Sequence, residues 1–241
     1  MTAGTVVLWR HGRTEHNLHR IWQGQLDIPL DEIGRQQAAR AAQALLAELT
    51  APDPSGSPPA PAAPPTEGPA PTEPPSTVDL GDRTVDLGDR LRIVTSDLSR
   101  AARTAEALSE VSGVPVLYEK RLREVNVGSW QGRTRAEIME SDTGPQLKAW
   151  LDGEDVPLGG GERRSEAGTR GAQAVAEHAQ ALDGGTLVAV SHGGIINGSI
   201  ATLLGLGPAR WGILGVLGNA RWATLAHGDR GWRLTGYNLG P

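Results

Sequence analysis

Two histidines in this chain share one local setting. Each closes a short apolar run and is followed by glycine: Val6-Val7-Leu8-Trp9-Arg10-His11-Gly12 and Leu187-Val188-Ala189-Val190-Ser191-His192-Gly193. A third apolar run ends in Thr95-Ser96-Asp97 and leads to Arg100. Phosphoryl transfer needs a nucleophile in line with the leaving oxygen, cations around the equatorial oxygens and a proton for the leaving group. A neutral imidazole can attack phosphorus when its other nitrogen is held as a donor, for instance by a backbone carbonyl. Arg10 and Arg100 offer forked, permanently charged donors matched to phosphate oxygens. His192 adds a further cation if protonated, and Asn17 adds a neutral amide donor. A helix opening at Gly193 would contribute its free N–H groups. Gly12 lets the chain turn sharply and approach a phosphate closely.

These residues can act together only if the fold brings their strand ends to one place. Apolar residues recur on one face from Ile33 to Leu49, which predicts a helix, and further helices are expected from Ser99 to about Ser112, over 162–182 and over 193–204. Between them, 91–95, 114–118 and 186–190 read as strands, with a final strand pair over 220–226 and 232–237 joined at Gly228-Asp229-Arg230-Gly231. Strands separated by helices of this length predict an α/β fold, a mostly parallel sheet covered on both faces. Ligands of such sheets bind at the carboxyl ends of the strands, which places Arg10, His11, Arg100 and His192 along one rim.

The ordered motifs resemble the histidine phosphatase (phosphoglycerate mutase-like) superfamily. They are Arg10-His11-Gly12 with Thr14 and Asn17, Gln23-Gly24-Gln25-Leu26-Asp27 with Gly34, Ser96-Asp97-Leu98-Ser99-Arg100, Arg121-Leu122-Arg123-Glu124 with Gly128, Gly160-Gly161-Glu162, and Ser191-His192-Gly193-Gly194. The resemblance implies a three-layer α/β sandwich in which His11 is the phosphorylated nucleophile. Arg10, Arg100 and His192 would form the phosphate pocket with Asn17, with Gln23, Gly24 and Gly193 beside them. Glu124 would protonate the leaving alcohol and then activate water. The substrate would be a small phosphomonoester. Segment Gly218–Leu225, together with Gln23–Asp27, is similar to actinobacterial glucosyl-3-phosphoglycerate phosphatases, which implies a sugar-phosphoglycerate substrate and a homodimer. Arg163 departs from that family's usual serine after Gly-Gly-Glu.

The superfamily also contains mutases. Those resembling phosphoglycerate mutase carry a longer segment after the acid, a nearby tyrosine and paired arginines for the substrate carboxylate. Here Glu124 is followed by Val125-Asn126-Val127-Gly128, so a phosphatase is expected, with the mutase as the alternative and an inactive phosphate-binding module as the third reading. Arg163-Arg164 still offers cations to a substrate carboxylate.

Composition limits the other classes. The 241 residues include no cysteine, which excludes disulfides and thiolate chemistry, and the net charge of -5 gives no general nucleic-acid surface. His16 and His19 lack partners for a metal site, and Gly159-Gly160-Gly161 does not follow a strand as a dinucleotide loop would. No metal or cofactor is expected. No signal peptide or membrane span is legible, so a cytoplasmic protein is expected. Residues 51–76 hold 11 of the 17 prolines and are followed by TVDLGDR twice, over 77–83 and 84–90. Residues 51–90 therefore read as a disordered insertion in one domain spanning 1–241.

Overall fold

The computed structural model describes residues 3–51, 77–79, 84–88, 90–182 and 184–241, with 77–79 and 84–86 described by backbone alone. The elements run β1 (Thr5–Arg10), α1 (Glu15–Leu18), α2 (Glu32–Thr50), β2 (Thr77–Asp79), β3 (Thr84–Asp86), β4 (Leu91–Thr95), α3 (Ser99–Ser112) and β5 (Val116–Tyr118). They continue with α4 (Arg135–Met139), α5 (Gly144–Leu151), α6 (Arg164–Gln180), β6 (Thr186–Ser191), α7 (Gly193–Leu203), β7 (Trp222–Gly228) and β8 (Gly231–Leu239).

Six strands form one sheet in the order β5-β4-β6-β1-β7-β8. The four on the β5 side are parallel, and the terminal hairpin β7–β8 joins β1 antiparallel. Alternation along the strands explains the two cores. Val6 and Leu8 bury with Leu187 and Ala189 against Ala174, Val175 and Ile196 of α6 and α7. Val7 and Trp9 bury on the other face with Val188 and Val190 against Ala41, Leu45, Ala105 and Leu108 of α2 and α3. The expected three-layer sandwich follows from strands apolar on both faces. Helices α6 and α7 approach closely because the side chains between them are minimal: a Cβ on Gly168 would lie 2.8 Å from the carbonyl oxygen of Gly198.

Several element ends differ from the periodicity for local reasons. Strand β5 starts at Val116, not Val114, because Ser112 Oγ takes the Val114 N–H and Ser109 Oγ binds its carbonyl. Helix α6 starts at Arg164, where Glu166 folds back to accept the Arg163 N–H. Strand β7 starts at Trp222 because Ala220 sits at φ 55° and donates its N–H to the carbonyl of His11.

The Pro-rich tract, 52–76, lies outside the described residues. The expected insertion extends too far at its other end. The two TVD triplets of the repeat pair antiparallel as β2 and β3, with Val78 opposite Val85, and Leu87 is buried in the core beside Leu91. Triplets rich in β-branched residues favour such pairing. A third apolar cluster was not legible as elements. Short helices α4 and α5 enclose Val125, Val127, Trp130, Ile138, Leu147 and Leu158, and each is too brief to show a helical period.

Candidate active site

The rim at the carboxyl ends of β1, β4 and β6 opens into a cavity of about 670 Å³. Arg10, His11, Asn17, Gln23, Gly24, Arg100, Glu124 and Gly193 all line it. The rings of His11 and His192 approach to 5.0 Å between centroids, tilted by 60°. Residues 181 positions apart in the chain thus meet because β1 and β6 are parallel neighbours, with Arg10 opposite Ser191.

Hydrogen bonding assigns opposite tautomers to the two rings. His11 Nδ1 lies 2.6 Å from the carbonyl oxygen of Gly12. A carbonyl only accepts, so Nδ1 carries the proton and Nε2 keeps its lone pair. Arg100 Nε donates to His192 Nδ1 at 3.1 Å. A guanidinium only donates, so the proton of neutral His192 is on Nε2, 2.9 Å from Ser96 Oγ. Burial, reinforced by the Arg100 charge, holds both imidazoles well below their ordinary value of 6.5.

His192, expected to add a cation only if protonated, is a fully buried acceptor from Arg100, and it is the one expected site residue that does not line the cavity.

The cations are held by backbone carbonyls. Arg100 donates to the carbonyls of Leu26 (2.7 Å) and Gly24 (2.8 Å), which explains why the Gln23–Asp27 turn accompanies it. Gly24 adopts φ 52°, and a Cβ there would meet Gln131 Oε1 at 2.5 Å. Burial lowers the Arg100 pKa to about 10 even with Glu124 opposing the shift. Arg10 donates to the carbonyl of Leu217 at 2.5 Å, while its Nε is buried without a partner among the described residues. An orphaned guanidinium N–H in a cavity wall is a donor waiting for an anion. Asn17 Oδ1 accepts from Thr14 and from Asn219 Nδ2, so its own NH₂ is the group left to face the cavity. Gln23 Oε1 is likewise taken by Thr14 Oγ1 at 3.0 Å.

Gly12 serves a different purpose from the sharp turn expected of it. A Cβ on Gly12 would stand 2.3 Å from the carbonyl oxygen of Gly34, and one on Gly34 would clash with the carbonyl of Arg13. The two glycines let the start of α2 press against the loop that follows His11. Asp31 Oδ1 caps that helix by accepting the Gly34 N–H at 2.7 Å.

Glu124 enters from the loop after α3 and β5. Its Oε1 accepts the N–H groups of Val125 (2.9 Å) and Ile195 (3.0 Å), and Oε2 accepts that of Gly194 (3.2 Å). The carboxylate therefore occupies the N-terminus of α7, which was expected to point N–H groups at a phosphate. Arg170 was not legible as part of the site, since it reads as one polar position on an amphipathic helix. It donates to the carbonyls of Arg121 (2.6 Å), Arg123 (2.9 Å) and Glu124 (3.3 Å). It also pairs with Glu162, which accepts the Asn126 N–H. Arg123 is fixed in turn by both oxygens of Asp97. Asn219 ties the carbonyls of His11 and Gly12 to Asn17. Among the described residues, no group of three or more His, Asp or Glu side chains is placed to hold a metal ion, and no helix is long and apolar enough to cross a membrane.

Because burial lowers the pKa values of His11 and His192, stability should depend on pH. The unfolded chain binds more protons than the folded one once pH falls through about 6.5, the value at which free imidazoles protonate. The contribution is complete above that pH and is lost on acidification, by up to about 1.4 kcal/mol per histidine per pH unit. Thermal melts between pH 7.5 and 5 should show a falling midpoint, and His11→Asn should flatten the slope. A profile indifferent to that substitution contradicts the assignment of neutral His11.

The fold and the paired histidines define a class, and comparison with known proteins agrees. The model of the histidine phosphatase superfamily (branch 1) matches residues 6–53 and 79–240. The chain belongs to this superfamily. It is 36% identical to a glucosyl-3-phosphoglycerate phosphatase of Mycolicibacterium vanbaalenii, over 99% of this chain and 96% of that protein. It superposes on a mycobacterial glucosyl-3-phosphoglycerate phosphatase in complex with VO3 at a TM-score of 0.73, with 33% identity, covering 99% of this chain and 100% of the other. A phosphoserine phosphatase of Entamoeba histolytica bound to 3-phosphoglyceric acid gives a TM-score of 0.72 and 26% identity, covering 98% and 96% of the two chains.

Proposed function

We propose that the chain is a metal-independent phosphomonoesterase acting through a phosphohistidine on a small phosphorylated metabolite, a sugar-phosphoglycerate such as glucosyl-3-phosphoglycerate. The observation that carries the reading is the 2.6 Å contact of His11 Nδ1 with the Gly12 carbonyl inside an arginine-lined cavity. It leaves Nε2 as an unprotonated nucleophile.

In the first step Nε2 bonds to phosphorus as the bond to the ester oxygen breaks, and Glu124 gives its proton to that oxygen. Arg10, Arg100, Asn17 and Gln23 meet the charge on the phosphoryl oxygens. In the second step water attacks phosphorus, the P–N bond breaks, and the Glu124 carboxylate takes the proton of the water. His192 contributes by orienting Arg100. The phosphatase relatives support hydrolysis over retransfer, as does the short segment after Glu124 without a tyrosine. The substrate choice draws on the relatives' activity. The same reading takes the enzyme to be cytoplasmic and homodimeric.

Purified protein should release inorganic phosphate from p-nitrophenyl phosphate in the presence of EDTA. Among glucosyl-3-phosphoglycerate, 3-phosphoglycerate with 2,3-bisphosphoglycerate, and common sugar phosphates, the first should have the highest kcat/KM. Loss of turnover with chelator, or isomerisation without phosphate release, overturns the proposal.

A further inference from the structure

Neither Glu162, from the Gly160-Gly161-Glu162 motif, nor Arg170 on α6 lines the catalytic cavity. The two form an ion pair beside the segment that carries the acid. Residues 121–124 bring Glu124 from the end of β5 to the cavity and pair with no strand. Their backbone carbonyls still need donors, and side chains from distant positions supply them. Ser191 Oγ donates to the carbonyl of Leu122 at 2.6 Å, and Gln25 Nε2 to that of Glu124 at 3.0 Å. Arg170 serves the others: Nη1 donates to the carbonyls of Arg121 and Arg123, and Nη2 reaches that of Glu124. Its remaining N–H groups go to Glu162, Nε to Oε1 and Nη2 to Oε2, both at 2.9 Å. Every donor of the guanidinium is thereby committed.

Glu162 extends the hold to the far side of the acid. Its Oε2 accepts the Asn126 N–H at 2.7 Å, and its own N–H donates to the Asn126 carbonyl at 2.8 Å. A Cβ on Gly161 would run into that same carbonyl oxygen, so only glycine fits before the glutamate. Glu124 is therefore bracketed by residues 121–123 before it and Asn126 after it, and one ion pair spans both anchors. With side-chain exposures of only 20% and 24%, little water is at hand to replace these bonds.

We propose that the Arg170–Glu162 pair positions the general acid: it holds the backbone of 121–126 where the Glu124 carboxyl reaches the leaving oxygen. This rests on the phosphatase reading and deepens it, giving the Gly-Gly-Glu motif a part in the reaction. Both are positioning residues, acting through the backbone. General acid catalysis requires the donor within hydrogen-bond reach of the leaving atom, and a misplacement of about 1 Å costs on the order of 10²-fold.

The test compares two leaving groups in single turnover, with enzyme in excess and leaving-group release as the first-step rate. Arg170→Met should slow the first step with glucosyl-3-phosphoglycerate, an alkyl phosphate, by about 10–100-fold. With p-nitrophenyl phosphate, whose phenolate departs without a proton, the loss should stay within about threefold. Combining Arg170→Met with Glu124→Gln should be no slower on the alkyl phosphate than Glu124→Gln alone, because both remove one function. Vanadate affinity reads the phosphate pocket separately and should hold. Equal losses on the two substrates, additive losses in the double variant, or a vanadate affinity that falls in step overturn the proposal, since each describes a mere prop of the fold. Glu162→Gln should show the same bias against the alkyl phosphate, and it serves if Arg170→Met fails to fold. If the wild-type protein releases no leaving group from either substrate, it is the phosphatase reading that fails, and this proposal with it.

Discussion

His11→Ala should lower kcat roughly 10⁴–10⁶-fold, the scale seen when a nucleophile that acts as part of a unit is removed. Each factor of ten corresponds to about 1.4 kcal/mol of barrier, so the variant forfeits about 5–8 kcal/mol. The effect is this large because nothing else in the cavity replaces the ring. His192 lies behind Arg100, its Nδ1 committed to that guanidinium and its Nε2 to Ser96. His16 on α1 and His19, which caps the end of that helix, lie outside the cavity lining. A phosphohistidine survives alkali and is lost in acid, so wild-type protein quenched in base after brief exposure to labelled substrate should retain the label and the alanine variant should not. His11→Asn is the better structural control, because an asparagine NH₂ can still donate to the Gly12 carbonyl. Turnover within tenfold of wild type in either variant would falsify the nucleophile assignment.

The second large effect is at Glu124, and it should depend on the leaving group. Glu124→Gln removes the transferable proton, and general acid catalysis of this kind contributes about 10²–10⁴-fold. An alkyl phosphate, whose alkoxide is a poor leaving group, should show the full loss. p-Nitrophenyl phosphate, whose phenolate departs without a proton, should lose far less in its first step. Equal losses on both substrates point to a role in binding instead of proton transfer. The substitution is not isosteric in its hydrogen bonding. One carboxylate oxygen accepts from Val125 and Ile195 and the other from Gly194. The amide retains only one acceptor oxygen, so its NH₂ must face an N–H donor. Comparison of the two substrates within one variant separates that distortion from the loss of the acid.

Position depends on Arg170 as much as on Glu124 itself. The guanidinium holds the carbonyls of three residues in the 121–124 segment and is fixed by Glu162. Arg170 thereby fixes the segment that carries Glu124 to helix α6.

Much of this was readable from residue types in order. Apolar runs ending in His-Gly, with helices of the right length between them, dictate parallel strands whose carboxyl ends share a rim, because β-branched and aliphatic side chains alternate onto two faces that helices must cover. The meeting of Arg10, His11 and Arg100 at that rim follows from it, and Glu124 was named from the resemblance of the ordered motifs. What no local pattern carries is the state and exposure of each group. The tautomers of His11 and His192 depend on a carbonyl one residue away and a guanidinium 92 positions distant. The occupation of the α7 N-terminus by Glu124 and the back-to-back contact of Gly12 with Gly34 are likewise matters of what the chain packs nearby. Backbone propensity is written residue by residue, whereas protonation, desolvation and free hydrogen-bonding capacity are set by neighbours that only the folded chain assembles.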